Sequence, residues 1–269
     1  MESRIGRYEI IRRIGRGSQG SVYLGRDPKL DRFVAVKVLT AKDAELAKLA
    51  EDGTPLEARM SSKLNHPNIV PIYDVGECAD GPYLIFEYVE GQTLAQVLNK
   101  NGPMSIEDAV PLITSILKGV SIAHAAEIVH LDLSPRNILM DGDGIPRIMD
   151  FGLSQYVSIA KEPREFASGT LRYMAPEHFR GEPLGPWTDV FALGSTFYEI
   201  VTGQRAMLGD KLEQIQYRIM LGDVDYEPIK SIDHGEAFAR FIAGAVEKGR
   251  DGRYSDGATM TEAFKLFLE

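Results

Sequence analysis

The change of character at Gly91 constrains this 269-residue chain more than any other feature. Before it, five short β-prone runs follow in tight succession: YEIIRRIGRG, GSVYLGRD, FVAVKVLT, IVPIYDVGE and PYLIFEYVE. Gly, Asp and Pro part them and the turn CADG joins the last two, so they predict an antiparallel sheet. One helical stretch, AKDAELAKLAEDG, interrupts them and stops at Gly53, a natural C′ residue. TPLEARMSSKL follows, with Thr54, Pro55 and Glu57 spaced as N-cap, N1 and N3 of a capping box, so a fresh helix is expected to start at Thr54. After Gly91 helical patterns take over. SIEDAVPLITSILKGVSIAHAAEIVH sets Ile106, Val110, Ile113, Leu117 and Val120 on one stripe, with Pro111 expected to bend its first turns. WTDVFALGSTFYEIVTG is apolar nearly all round and ends at Gly203, the pattern of a buried helix. KLEQIQYRIMLG, GEAFARFIAGAVEKG and TMTEAFKLFLE read as further helices. A β-rich half followed by a larger helical half is an α+β plan in two lobes, residues 1–89 and 90–269.

Charge narrows the partners. Thirty Lys and Arg against 39 Asp and Glu leave a formal charge of −9, which disfavours nucleic acid as a partner of the surface as a whole. Cys78 is the single cysteine, so neither an intrachain disulfide nor a cysteine-rich metal site is available. MESRIGRYEI lacks the apolar core of a signal peptide, and no stretch reads as a membrane span. The expectation is a cytoplasmic chain without membrane contact of its own, alone or as the cytoplasmic part of a larger, membrane-anchored protein with further domains beyond residue 269.

Chemistry concentrates in HLDLSPRNILMDGDGIPRIMDFG, residues 130–152. Asp132 sits between Leu131 and Leu133, Asn137 follows five residues later, and Asp150 eighteen residues later. Buried leucines would anchor the loop and aim the one polar side chain outward. A carboxylate held in that way can orient a hydroxyl and accept its proton. Asn137 and Asp150 could supply the few protein oxygens that a phosphate-bound Mg²⁺ takes. Upstream, Gly15, Gly17 and Gly20 form G-x-G-x-x-G. The strand that follows it rules out a dinucleotide-fold helix, but a hairpin tip without side chains can lay its N–H groups over phosphates. In VAVK, Ala35 and Lys37 share one strand face opposite Val34, Val36 and Val38. If Ala35 touches a purine, Lys37 reaches its phosphates, and Glu57 is available to hold the lysine.

Together these residues resemble the protein kinases. The pieces stand in that family's order: G-x-G-x-x-G-x-V at 15–22, VAVK at 34–37, Glu57, HPN at 66–68, FEYV at 86–89, HLDLSPRN, DFG at 150–152, GTLRYMAPE at 169–177, TDVFALG at 188–194 and Arg253. The resemblance covers about residues 8–269. It implies a bilobal fold, with an N-terminal five-stranded antiparallel sheet plus one main helix and a mainly helical C-terminal lobe. It implies ATP with Mg²⁺, or Mn²⁺ in its place, and protein substrates. ATP would lie against Ile14, Gly15, Arg16, Gly17, Ser18, Gln19, Gly20, Val22, Ala35, Lys37, Phe86, Glu87, Val89 and Leu139. The Glu87 carbonyl and Val89 amide would bond adenine, and Val22, Ala35 and Leu139 would sandwich it. Lys37, paired with Glu57, would contact phosphates, Asp132 would be the base, and Asn137 and Asp150 the metal ligands. Glu177 and Arg253 would form a buried ion pair, and Asp189 would anchor the loop of Asp132. GTLRYMAPE and the style of the N-terminal third resemble serine/threonine kinases of bacteria.

The departures matter as much. Leu131 stands where many members carry Arg, the usual receiver of an activation-segment phosphate. Ser134 replaces the lysine usual in serine/threonine kinases, and Arg136, placed as in some tyrosine kinases, is expected to supply that charge to the γ-phosphate. Dual-specificity or tyrosine transfer therefore stays open, as do a catalytically weak scaffold and a kinase of small molecules. Any autophosphorylation is expected at Ser158, Ser168 or Thr170. Ser61 stands where a bulky apolar residue is usual, and Glu57 has two prospective partners, the Thr54 cap and Lys37. Both features predict a helix that readily leaves its Lys37-paired arrangement.

Overall fold

The computed structural model describes residues 4–17, 20–39, 54–151, 154–156 and 171–269. The chain divides into two compact units, Met1–Glu90 with Asp150–Gly152, and Gly91–Met149 with Leu153–Glu269.

The first unit is built on a sheet. Its strands are β1 (Arg4–Ile5), β2 (Tyr8–Gly17), β3 (Gly20–Asp27), β4 (Arg32–Val38), β5 (Ile72–Cys78) and β6 (Gly81–Glu87), in the order β1-β2-β3-β4-β6-β5. Every neighbouring pair is antiparallel. The five strands expected from the sequence are present. The two-residue β1 adds a sixth because a turn at Gly6, φ 55°, folds Arg4–Ile5 back on β2. The strand alternation of β4 decides where the core lies. Val34, Val36 and Val38 pack with Ile5, Tyr8 and Ile85, each fully buried valine contributing roughly 1.5–3 kcal/mol. Ala35 and Lys37 therefore take the opposite face.

Helix α1 runs over Leu56–Ser61 and starts later than the expected capping box. Its N-cap residue is Pro55, in an extended conformation and without a side-chain cap. Proline has no N–H to offer the box and favours an extended residue before it, and the Glu57 carboxylate bonds Lys37. Leu39, Ala58 and Leu84 pack together and fasten this helix to the sheet. The stretch AKDAELAKLAEDG, Gly53 included, lies wholly outside the described residues.

The second unit begins with β7 (Gly91–Thr93) and α2 (Leu94–Asn101), whose Thr93 and Gln96 form a full capping box. Helix α3 (Ile106–Ala125) is capped by Ser105, which accepts from the Asp108 amide, and runs on through Pro111. Its buried face is Ala109, Leu112, Ile113, Ile116, Leu117 and Val120, with Val110 at the edge of the stripe. Next come β8 (Ile128–Val129), β9 (Ile138–Asp141), β10 (Pro146–Ile148) and β11 (Gln155–Tyr156). They form two small sheets, β10-β9-β7 and β11-β8. The remaining helices are α4 (Pro176–Arg180), α5 (Pro186–Thr202), α6 (Leu212–Met220), α7 (Glu227–Lys230), α8 (Gly235–Ala245) and α9 (Gly257–Leu268). Helix α5 is buried on nearly every face and ends at Gly203 in the left-handed conformation, as its all-round apolar pattern implied. No helix of the described residues is long and apolar enough to cross a membrane.

Candidate active site

In the first unit the polar centre is Lys37. Its ammonium, on a residue only 6% exposed, lies 2.8 and 2.9 Å from the two carboxylate oxygens of Glu57 and 2.7 Å from Asp150 Oδ1. Burial alone would lower the lysine pKa. The Asp150 and Glu57 carboxylates act the other way and hold it above the ordinary value, so the group stays charged. Asp150 has φ 63°, a left-handed conformation that Asp tolerates better than most residues. Its carboxylate is 39% exposed.

The glycine-rich hairpin lies on β2 and β3, with Gly15 opposite Val22, Arg16 opposite Ser21 and Gly17 opposite Gly20. Ser18 and Gln19 lie outside the described residues. The two glycines that can be compared have different reasons to be glycine. A Cβ on Gly20, φ 135°, would meet the Val38 carbonyl oxygen at 2.0 Å, so the sheet itself demands glycine there. A Cβ on Gly15 would meet only the Val22 side chain at 3.7 Å, ordinary contact. Packing does not require glycine at 15, which leaves room for a ligand approaching the backbone. Ile14, on β2, is an exposed apolar residue. Val22 is on β3, Ala35 on β4 between Leu24 and Phe86, Glu87 closes β6 with its amide on the Pro71 carbonyl, and Val89 follows directly.

In the second unit the centre is Asp189, buried in the first turn of α5. Its Oδ2 and Oδ1 accept from the His130 and Leu131 amides, both at 2.7 Å. The helix start favours a carboxylate there. Burial pushes its pKa up, but the hydrogen bond from His124 and the His130 amide more than offset this, and it stays below the ordinary range. Leu131, φ 65°, is thereby held in a left-handed turn and packs against Val129 and Leu184. Leu131 and Leu133 are buried while Asp132 between them is partly exposed, which is the bracket anticipated from the sequence. Asn137 Nδ2 donates to the Asp132 carbonyl at 2.7 Å and to its Oδ2 at 2.9 Å. Asn137 thus orients Asp132, a use the sequence did not suggest, and only its Oδ1 remains to face a cation. His130 Nδ1 accepts from the Asp132 amide at 3.2 Å, so Nε2 carries the proton and donates to the Met149 carbonyl. Leu139 is on β9, paired with Thr93 and Arg147. Arg136, on a 3₁₀ turn over Pro135–Asn137, is exposed.

His124 was missed by sequence reasoning. It binds Asp189 through Nε2 at 3.0 Å and accepts the Gly257 amide through Nδ1 at 2.9 Å. A histidine in the last turn of an apolar helix gives no periodic signal of such a partner. Glu177 and Arg253 form the expected buried pair, two-pronged at 2.9 and 3.2 Å. Among the described residues no group of three or more His, Cys, Asp or Glu is arranged for a metal ion. Ser158, Ser168 and Thr170 lie outside the described residues.

The sheet unit carries a buried lysine held by two carboxylates, and the helical unit an Asp–Asn loop strung on a buried aspartate. The profile of the protein kinase domain matches residues 8–265, and the chain belongs to that family. Among curated relatives, the probable serine/threonine-protein kinase PknB of Lactococcus lactis is 34% identical over 256 residues, 93% of this chain and 40% of the relative. The serine/threonine-protein kinase PrkC of Bacillus subtilis is 38% identical over 214 residues, 78% of this chain and 32% of the relative. PknL of Mycobacterium tuberculosis, also named a serine/threonine-protein kinase, is 34% identical over 266 residues, 98% of this chain and 66% of the relative. The chain spans 40% and 42% of the length of the first two curated relatives that it matches.

Proposed function

We propose that this chain is the catalytic domain of an ATP-dependent serine/threonine protein kinase, with residues 1–89 and 90–269 as its two lobes. The observation that carries the reading is Lys37, buried and charged, bonded at once to Glu57 and Asp150. A buried ammonium fixed by carboxylates is a preorganised phosphate contact. The hairpin of residues 14–20 would cover the phosphates, with the unforced glycine at 15 in support. Adenine would bond the Glu87 carbonyl and the Val89 amide, beside Phe86, Val22 and Ala35, and the family resemblance adds Leu139 to its contacts.

Asp132 is the proposed base. Asn137 and the flanking leucines hold its carboxylate, and it would orient the serine or threonine hydroxyl of a protein substrate and accept its proton. The hydroxyl oxygen bonds the γ-phosphorus of ATP, the bond from that phosphorus to the bridging oxygen breaks, and ADP departs. Arg136 adds positive charge for the transferring phosphoryl group. Asn137 Oδ1 in the helical unit and the part-exposed Asp150 carboxylate in the sheet unit are each an oxygen of the kind a hard cation takes. Bound there, Mg²⁺ or Mn²⁺ would neutralise phosphate charge. The names of the relatives and the GTLRYMAPE sequence support Ser/Thr over Tyr, and ATP supply favours a cytoplasmic setting.

The test is transfer from ATP-Mg to a generic protein, followed by phosphoamino-acid analysis. Asp132→Asn is expected to lose about a hundredfold or more in turnover, the usual range for a general base, with nucleotide affinity retained. Turnover within tenfold of wild type would remove Asp132 from the role. Phosphotyrosine as the main product would overturn the acceptor class.

A further inference from the structure

The hairpin of β2 and β3 is basic in a chain whose formal charge is −9. Residues 10–26 hold four arginines and neither Asp nor Glu. The other arginines between residues 4 and 32, and Arg26 itself, have partners. Arg4 bonds Glu9, Arg7 pairs with Asp27 and Asp74, Arg26 pairs with Asp31, and Arg32 stacks on Tyr73. Arg12, Arg13 and Arg16 are exposed, and among the described residues none of them has a carboxylate or a ring as partner.

The backbone sets how these side chains are presented. β1 pairs only with Tyr8 and Glu9, so among the described residues β2 beyond Glu9 has a strand on one side alone, β3. Along this open edge the register slips twice, between Ile10 and Arg12 and between Arg13 and Gly15. Each slip leaves one residue without a partner, Ile11 and Ile14, and such bulges re-aim side chains. Ile11 is 51% and Ile14 37% exposed. Residues directly opposite one another share a face. Arg13 lies in line with Tyr23 and Val36, Arg16 with Ser21 and Val38, and Arg12 with Leu24 and Ala35. Arg13 and Arg16 therefore stand on one face of the sheet and Arg12 on the other, and a ligand lying along the edge meets all three. Charge and bulges alone would serve to keep a second sheet off an open edge. Two exposed isoleucines set among the arginines work against that protection, and they fit a partner that brings acidic and apolar side chains together.

We infer that the open edge of β2 at residues 11–16 binds an acidic segment of a partner protein, with Asp or Glu on the arginines and apolar side chains on Ile11 and Ile14. The charge of the whole chain selects this partner over other polyanions. Nucleic acid or an anionic bilayer would bring an extended negative surface up to a protein of the same sign, whereas a short segment meets only the arginines. The experiment titrates the full chain into a labelled peptide of Glu interspersed with Leu, and into the same peptide with Gln or with Lys in place of Glu. The Glu peptide is expected to bind and the other two not, with affinity falling about fivefold as NaCl rises from about 50 to about 300 mM. Arg12→Glu combined with Arg13→Glu should weaken it about tenfold or more, the scale of two exposed charge pairs, and Ile11→Ser about threefold. These three positions lie outside the proposed nucleotide contacts, and urea midpoints like that of wild type show that the variants are folded. No binding of the Glu peptide, equal binding of the Gln peptide, or binding that survives in the double variant would overturn the inference. So would an oligonucleotide or phosphatidylglycerol vesicles that bind more tightly than the Glu peptide and lose that binding in the double variant. A chain that binds the peptide as expected but transfers no phosphate would sink the kinase reading and leave this inference standing.

Discussion

Both carboxylate oxygens of Glu57 lie on the Lys37 ammonium, at 2.8 and 2.9 Å. The lysine pairing is one of the two uses that the sequence offered for that carboxylate. Lys37→Met should abolish turnover and also lower stability by about 3 kcal/mol or more, because two carboxylates are left beside an apolar group. Glu57→Gln keeps Asp150 on the lysine, so it should slow turnover by about tenfold or more with a smaller loss of stability. Chemical denaturation and steady-state assays read the two effects separately. Unchanged turnover in both variants would detach the pair from catalysis.

Ser61, one turn along the same helix, is 2% exposed, and among the described residues its hydroxyl has no hydrogen-bond partner. Ser61→Ala removes an unsatisfied buried hydroxyl at little cost in volume. It should raise stability by about 1 kcal/mol, seen as a higher urea midpoint with an unchanged slope. A lower midpoint would mean that the hydroxyl is satisfied in solution.

Arg253 is fully buried and clamps Glu177 with two hydrogen bonds, while Thr188 Oγ1 donates to the same carboxylate at 2.9 Å. Arg253→Met leaves a buried carboxylate without its counter-ion, so a loss of about 3–5 kcal/mol is expected. Adding Glu177→Gln should restore part of it. If the double variant is no more stable than the single one, the pair is not the source of the loss.

Lys248 carries a pH signature. Burial, helped by the charge of Arg253, lowers its pKa from 10.5 to about 8, and its ammonium donates to the Arg218 carbonyl at 3.0 Å. Below pH 8 the folded and unfolded chains both hold the proton, and the buried charge works against folding. Between about 8 and 10.5 the unfolded chain holds a proton that the folded chain has released, so this contribution to stability improves as pH rises. Lys248→Met, relative to wild type, should therefore look more favourable at pH 7 than at pH 10. Urea midpoints of both proteins at the two pH values measure it, and a difference independent of pH would contradict the shift.

Much of the site was legible because its chemistry is written in short spacings. The alternation of β4 places Lys37 opposite three valines, and the leucine bracket sets Asp132, each within a few residues of chain. The all-round apolar run ending at Gly203 was enough to predict the buried α5. Such features follow from strand and helix periods, which any reader of the chain can count.

The amino-acid sequence by itself thus determined the two-part α+β plan, the order of its elements and the family. Tertiary structure alone decided which distant side chains meet. It put Glu57 on Lys37 and began the helix at Leu56, where the spacing had suggested a cap at Thr54. It joined His124 to both Asp189 and Gly257, turned Asn137 onto Asp132, and set Tyr173 on Glu199. The physical reason is that local periodicity sets which face of an element a residue occupies. A hydrogen bond, though, requires two faces to pack within about 3 Å, and that distance depends on the packing of the elements between them.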